Sequence, residues 1–180
     1  MLKLSLSTMA EDADRAGMFT GRFGSLVKQV DGALKVIKRI SATLRPAMLD
    51  TLGLVATVRW YLPQFSEATG ILTLLRLPDY VRLSDAANII VFRIIQEGLT
   101  NVAKHAAARR AWVHAHKRNG WLMVCIADDG IGISNSAARR QDAFGIIGMR
   151  ERAQSARGEL SIGARRSSGT RLCLCIPLDS

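Results

Sequence analysis

Residues 96–105 read Gln-Glu-Gly-Leu-Thr-Asn-Val-Ala-Lys-His. Placed on a helix, Glu97, Asn101, Lys104 and His105 fall at i, i+4, i+7 and i+8 and form one polar stripe. Ile94, Ile95, Gly98 and Val102 fill the adjoining arc, so the stripe borders a buried face. A carboxylate, an amide, an ammonium and an imidazole so placed suit a cleft wall holding a metal–phosphate group. An amphipathic helix with a solvated edge satisfies the same pattern, and the helix by itself does not separate the two readings.

Residues 121–132, Trp-Leu-Met-Val-Cys-Ile-Ala-Asp-Asp-Gly-Ile-Gly, carry an apolar strand into Asp128, Asp129, Gly130 and Gly132. Asp-x-Gly-x-Gly directly after a strand makes a tight turn where backbone can approach a ligand closely. It also aims the Asp128 carboxylate into that space as an acceptor. Asp-Gly turns are common, so the motif gains its weight from two further glycine clusters downstream. Gly145-Ile-Ile-Gly148-Met-Arg-Glu-Arg152 is the first, and Gly169-Thr170 precedes the last strand.

Around these motifs the pattern alternates between helix and strand. Leu54–Thr69 reads as a helix ending at Gly70, and Ile71–Leu77 as a strand turned by Pro78-Asp79. Ser84 is a suitable N-cap, with Asp85 in the first turn, for a helix running to about Ala107. Ala111–Lys117 and Trp121–Ala127 flank Asn119-Gly120, the strongest hairpin signal present. Residues 131–145 are small, polar and charged and read as a lid. A short helix over Ile146–Ala156 and strands over Glu159–Ile162 and Thr170–Ile176 complete the set. Helices segregated to one face of a mixed sheet make an α/β sandwich.

The first 46 residues read as helical, with a break among Gly17, Gly21 and Gly24. Val27, Val30, Leu34, Ile37 and Leu44 follow a 3–4 rhythm, and Pro46 is expected to end that helix. Such a helix packs either in a bundle with a partner or against the rest of its own chain.

Composition narrows the class. The 180 residues are 48% hydrophobic, enough for one core and a helical appendage. No apolar run reaches the ~20 residues a membrane helix needs, and no signal peptide is read at the start. Cys125, Cys173 and Cys175 show no ligand spacing and are expected to be buried, reduced thiols of a cytosolic protein. The net charge of +10 would attract nucleotides, nucleic acid, anionic lipid or an acidic protein. Its Arg and Lys are spread throughout, which fits a solvated basic surface or a face for an acidic partner. Aromatic residues make up only 6% and are not interleaved with basic ones, which argues against direct nucleic-acid binding. His114 and His116 share a strand face with Trp112, half of a metal site with no third ligand evident.

Taken in order, the motifs resemble the ATP-binding domain of sensor histidine kinases, the GHKL or Bergerat fold shared with gyrase. The subgroup most resembled signals through NarL-type response regulators. Its marks are Leu44-Arg-Pro46, Leu49-Asp-Thr-Leu-Gly53-Leu, Gln96-Glu97-x-Leu99-Thr-Asn101, Gly148-Met-Arg-Glu-Arg152 and Ile176-Pro-Leu178, which span roughly residues 40–178. The resemblance implies a division at residues 1–46, part of a helical dimerisation hairpin giving a homodimer, and 47–180, an ATP-binding catalytic domain. Asn101 would ligate Mg2+, and Glu97 would orient or deprotonate the attacking histidine or a water. Lys104 and His105 would meet phosphate oxygens, although a histidine near a helix end also serves to satisfy a carbonyl. Asp128 would accept a hydrogen bond from the adenine amino group of ATP. Asp129 stands where many relatives carry Asn, and Gly130 and Gly132 would let the loop pass the base. Gly145, Ile146, Gly148 and Met149 would hinge the lid and present N–H groups to phosphates, and Thr170 would line the adenine pocket. Ala143-Phe144 replaces a further glycine that the family often has, which alters the lid.

The resemblance further implies a histidine protein kinase, located in the cytoplasm, that passes phosphate to a response regulator. Any membrane contact would come through domains outside this chain. The family's acceptor histidine sits in a Glu-Leu-His-Asp type box, yet the only histidines here are His105, His114 and His116. The chain is therefore expected to be incomplete as a kinase on its own. The alternative is a nucleotide-binding regulatory module that acts through dimerisation without turnover.

Overall fold

The computed structural model describes residues 45–133, 143–165 and 167–179. The heptad-like pattern before residue 45 and most of the lid segment lie outside these residues. Met48–Ser180 forms one compact unit.

Helix α1 spans Arg45–Thr69 and contains Pro46 in its first turn, where a missing N–H costs no helical hydrogen bond. The helix expected to end at Pro46 lies outside the described residues; within α1 a kink falls at Gly53, with φ 73° and ψ 177°. Without a Cβ, glycine reaches that conformation freely. The neighbouring turn is secured by the Thr57 hydroxyl, which donates to the Gly53 carbonyl at 2.8 Å. Beyond the kink, Leu54, Val58, Leu62 and Phe65 repeat every three to four residues and are all buried.

Strand β1 (Leu72–Arg76) follows, then helix α2 (Asp85–Asn101). Ser84 caps α2 as expected, its hydroxyl accepting the Ala87 N–H at 3.3 Å. Asp85 lies in the first turn, where the helix dipole favours a negative charge. Strands β2 (Arg110–Arg118) and β3 (Trp121–Asp128) form the anticipated hairpin. Asn119 and Gly120 take φ of 50° and 78°, the paired positive values of a type I′ turn. Helix α3 (Ala143–Ser155) and strands β4 (Glu159–Ala164) and β5 (Thr170–Pro177) complete the unit.

The sheet order is β1-β2-β3-β5-β4, with β1 parallel to β2 and every other pairing antiparallel. Along β2, β3 and β5 every second residue is buried: Val113 and Ala115, Val124 and Ile126, Leu172 and Leu174. These side chains meet Ile95 and Leu99 of α2 and Met149 and Ala153 of α3 in one core. Leu54 and Val58 of α1 face Ala115, Leu122 and Val124 across an apolar crevice. The α/β sandwich read from the sequence is therefore the fold. Among the described residues no helix is long and apolar enough to cross a membrane.

The alternate residues point the other way. Trp112, Met123, Cys125, Cys173 and Cys175 are half-buried, and His114 and His116 are exposed. Here the expectation of three buried, reduced cysteines is corrected. The register sets Cys125 opposite Cys173, and the two are joined by a disulfide, leaving Cys175 free and half-buried. Strand alternation is the reason: all three fall on the face the helices leave uncovered.

Helix α2 lies close on β3 because Gly98 has no side chain. A Cβ at Gly98 would come 2.6 Å from Ile126 Cδ1. Gly98→Val is expected to overpack this contact and cost about 1–3 kcal/mol. The measurement is urea denaturation, read as a lowered midpoint with an unchanged slope.

Candidate functional site

The site gathers at the end of β3. Asp128 is only 2% exposed, unusual for a carboxylate unless it is hydrogen-bonded. Its Oδ1 accepts the Gly130 N–H at 2.9 Å, and its Oδ2 accepts the Thr170 N–H at 3.1 Å. A carboxylate offers about four acceptor positions, so each oxygen keeps capacity for another donor. Burial pushes the Asp128 carboxyl above its ordinary value, against the pull of the Gly130 and Thr170 N–H groups and the Arg165 charge.

Neighbouring Asp129 has a different task. Its Oδ1 accepts the backbone N–H groups of Arg109 and Arg110 at 2.9 and 2.8 Å. Partial burial raises this carboxyl, but the two donors and the Arg110 charge outweigh that and hold it below its ordinary value. Asp129 thus ties the turn after β3 to the start of β2.

The glycines of Asp-x-Gly-x-Gly are explained by close approach. A Cβ on Gly130 would collide with the Ala106 carbonyl oxygen, and the next residue, Ile131, donates its N–H to that same oxygen at 2.8 Å. The Ala106 carbonyl reaches this point because the chain leaves α2 through a π-helical turn, Val102–Ala106, closed by Ala107 in the left-handed region at φ 48°. Such wide turns are rare and recur at functional sites. Gly132, at φ 78°, passes the Gly169 carbonyl in a similar way.

The π turn also corrects the stripe expected along residues 97–105. An α-helical spacing holds from Glu97 to Asn101, both half-buried, and stops there. Lys104 and His105 lie in the wider turn and are exposed, so they are not aligned with the first pair as i+7 and i+8 positions would be. Glu97 instead faces α3, where a Cβ on Gly145 would come 3.2 Å from its Oε1. Ile146 and Met149 belong to the core, Met149 being fully buried. Gly148 lies against the Arg152 guanidinium, whose Nε is buried and has no hydrogen-bond partner.

Three residues outside the sequence-based set complete the surroundings of Asp128. Arg165 donates from Nη1 to the Asp128 carbonyl at 2.6 Å, and its guanidinium lies 4.8 Å over the ring of Trp112. Ser168 donates its hydroxyl to the Gly130 carbonyl at 2.6 Å. The turn between β4 and β5 thus clamps the end of β3. No local pattern marks these residues, since Arg165-Arg166 reads as one more surface charge pair. Among the described residues no group of three or more His, Cys, Asp or Glu side chains is placed to hold a metal ion.

Residues 86–180 match the family model of histidine kinase-, DNA gyrase B- and HSP90-like ATPases. The chain is 33% identical over 156 residues to the signal transduction histidine-protein kinase/phosphatase DegS of Brevibacillus brevis, covering 86% of this chain and 40% of that protein. It is 34% identical over 169 residues to UhpB of Salmonella typhimurium, covering 92% of this chain and 32% of the relative. It thus spans two fifths or less of the length of these curated relatives. Among solved structures, the blue-light activated histidine kinase EL346 of Erythrobacter litoralis shares the fold at a TM-score of 0.59 and 20% identity, over 87% of this chain and 49% of that one. The chain belongs to the histidine kinase-, DNA gyrase B- and HSP90-like ATPase family.

Proposed function

We propose that this chain binds Mg·ATP and forms the catalytic part of a sensor kinase, which passes the γ-phosphoryl group to a histidine and then to a NarL-type response regulator. The observation that carries the reading is Asp128, a buried carboxylate held by two backbone N–H groups and keeping further acceptor capacity. The exocyclic amine of adenine can donate to such an acceptor, whereas guanine presents a carbonyl at the equivalent position. The glycines at 130 and 132 let the chain pack against the Ala106 and Gly169 carbonyls beside that carboxylate.

Phosphoryl transfer needs positioning and charge neutralisation more than covalent help. Mg2+ takes oxygen ligands and retains several waters, so the Asn101 amide oxygen is a fitting single protein ligand; bound there, the ion would neutralise phosphate charge. Glu97 lies one helical turn before it with its carboxylate toward Gly145, where it would orient the attacking group or take its proton. Lys104 and His105, exposed at the π turn, would meet phosphate oxygens, and the buried Arg152 Nε adds a donor near Gly148. Residues 1–46 would supply dimerisation, and the cytoplasm would be the place of action. His105, His114 and His116 lie in no acceptor box, so none of them is the acceptor in this reading.

Calorimetry in Mg2+ buffer tests the site. Asp128→Ala is expected to weaken ATP binding about tenfold to hundredfold, the loss of a hydrogen bond to a charged acceptor, and GTP is expected to bind neither form. Asn101→Ala should remove the Mg2+ dependence. A folded wild-type chain that takes up no ATP would refute the proposal.

Titration gives a second check. Because the Asp128 carboxyl is raised on folding, its contribution to stability is complete below the ordinary carboxylate range, about pH 4, and is lost as pH rises through the raised value. The stability of wild type relative to Asp128→Asn should therefore fall over that interval in urea denaturation. A difference that grew with pH would mean that the N–H donors dominate over burial.

A further inference from the structure

We propose that Cys125 and Cys173 are a reversible dithiol–disulfide couple, a redox-modification site on the uncovered sheet face that sets how firmly the nucleotide carboxylate is held. The two residues lie directly opposite in the antiparallel β3–β5 ladder, with Cα atoms 4.2 Å apart and a disulfide between them. Both are half-buried, and their strand neighbours Val124, Ile126, Leu172 and Leu174 fill the core on the other side. The sulfurs therefore sit where a small thiol can reach them, unlike a bond enclosed in the core.

Their neighbours suit exchange chemistry. On β2, His114 is paired with Cys125 and exposed on the same face, which places an imidazole able to take up or return a thiol proton beside the sulfur. Cys175 lies two residues beyond Cys173 on this face, but burial and then the Glu159 charge push its thiol up, so it stays protonated and does not compete. Oxidation by a low-molecular-weight disulfide RSSR then balances without a further reactant. The Cys125 thiolate attacks one sulfur of RSSR and releases RS−, forming a mixed disulfide. The Cys173 thiolate attacks the Cys125 sulfur and releases the second RS−. Two thiols lose two protons and two electrons, and two RSH form; an excess of RSH reverses both steps.

The position of the bond links it to the site. Three residues along β3 from Cys125 is Asp128, and three residues back along β5 from Cys173 is Thr170, whose N–H holds Asp128 Oδ2 at 3.1 Å. A covalent tie between the same two strands limits their relative movement at that contact, so the oxidised form holds the carboxylate more firmly and binds ATP more tightly. This last consequence rests on the nucleotide reading above.

The test uses the 180-residue chain equilibrated in glutathione buffers of graded reduced-to-oxidised ratio, with thiols trapped by alkylation and each cysteine assigned by mass. The Cys125–Cys173 bond should give way to two thiols within the series. Cys125→Ser and Cys173→Ser should each abolish it, Cys175→Ser should leave it, and His114→Gln should slow its exchange. A bond that persists at every ratio, one that never forms, or one that uses Cys175 would overturn the couple. ATP affinity should differ by about fivefold or more between the trapped states, the oxidised form being tighter. Equal affinities would overturn the link to the site while leaving the thiol result standing. No ATP binding in either state would overturn the link and the nucleotide reading together.

Discussion

A buried carboxylate must be paid for, and around Asp128 the rest of the site is arranged to do so. Removing an ionised group from water without partners is costly. Asp128 offsets that cost with the N–H groups of Gly130 and Thr170, which lie on two segments distant in sequence. To bring both within reach, the turn after β3 must fold back and β5 must start beside it. The first demand calls for a residue without a side chain at 130, because the Ala106 carbonyl occupies the space a Cβ would take. The second calls for one at 169, where a Cβ would collide with the Asp128 carbonyl oxygen. Two glycine motifs separated by about forty residues thus answer to one hydrogen-bonded carboxylate.

The same constraint accounts for the irregular end of α2. A regular α-helix carried through residue 106 would not direct the Ala106 carbonyl at the Gly130 turn in the same way. The π-helical turn does, and Ile131 completes the arrangement by donating to that oxygen. The continuity of the polar stripe is lost in exchange. Glu97 and Asn101 remain on the regular part and stay half-buried, while Lys104 and His105 move into solvent. One bend of the backbone therefore separates residues suited to an enclosed site from residues suited to a mobile, hydrated ligand group.

The sheet divides labour between its faces. The covered face holds an apolar core in which Val91, Ile94, Leu122, Met149 and Ile176 are completely or almost completely buried. The uncovered face carries Trp112, two histidines and three cysteines in adjacent cross-strand positions. Arg165 joins the two levels, since it rests on Trp112 and holds the Asp128 carbonyl. A site on the rim of a sandwich is in this way reached from a face that takes no part in the core.

Local sequence determined the elements. Ser84 with Asp85, the Asn119-Gly120 turn, the apolar alternation of residues 121–128 and the spacing of Leu54, Val58, Leu62 and Phe65 each act within a few residues, so their effects are legible in a linear chain. The motif order also singles out Asp128 and its glycines and the Glu97–Asn101 pair. Tertiary structure decided what depends on register and on contacts across strands. The Cys125–Cys173 bond, the Arg165 and Ser168 clamp and the π turn all arise where segments tens of residues apart compete for the same space and the same hydrogen-bond donors. Pro46 and Gly53 show the difference in small: proline fits a first helical turn by its own geometry, whereas the kink inside α1 falls where glycine takes φ 73°.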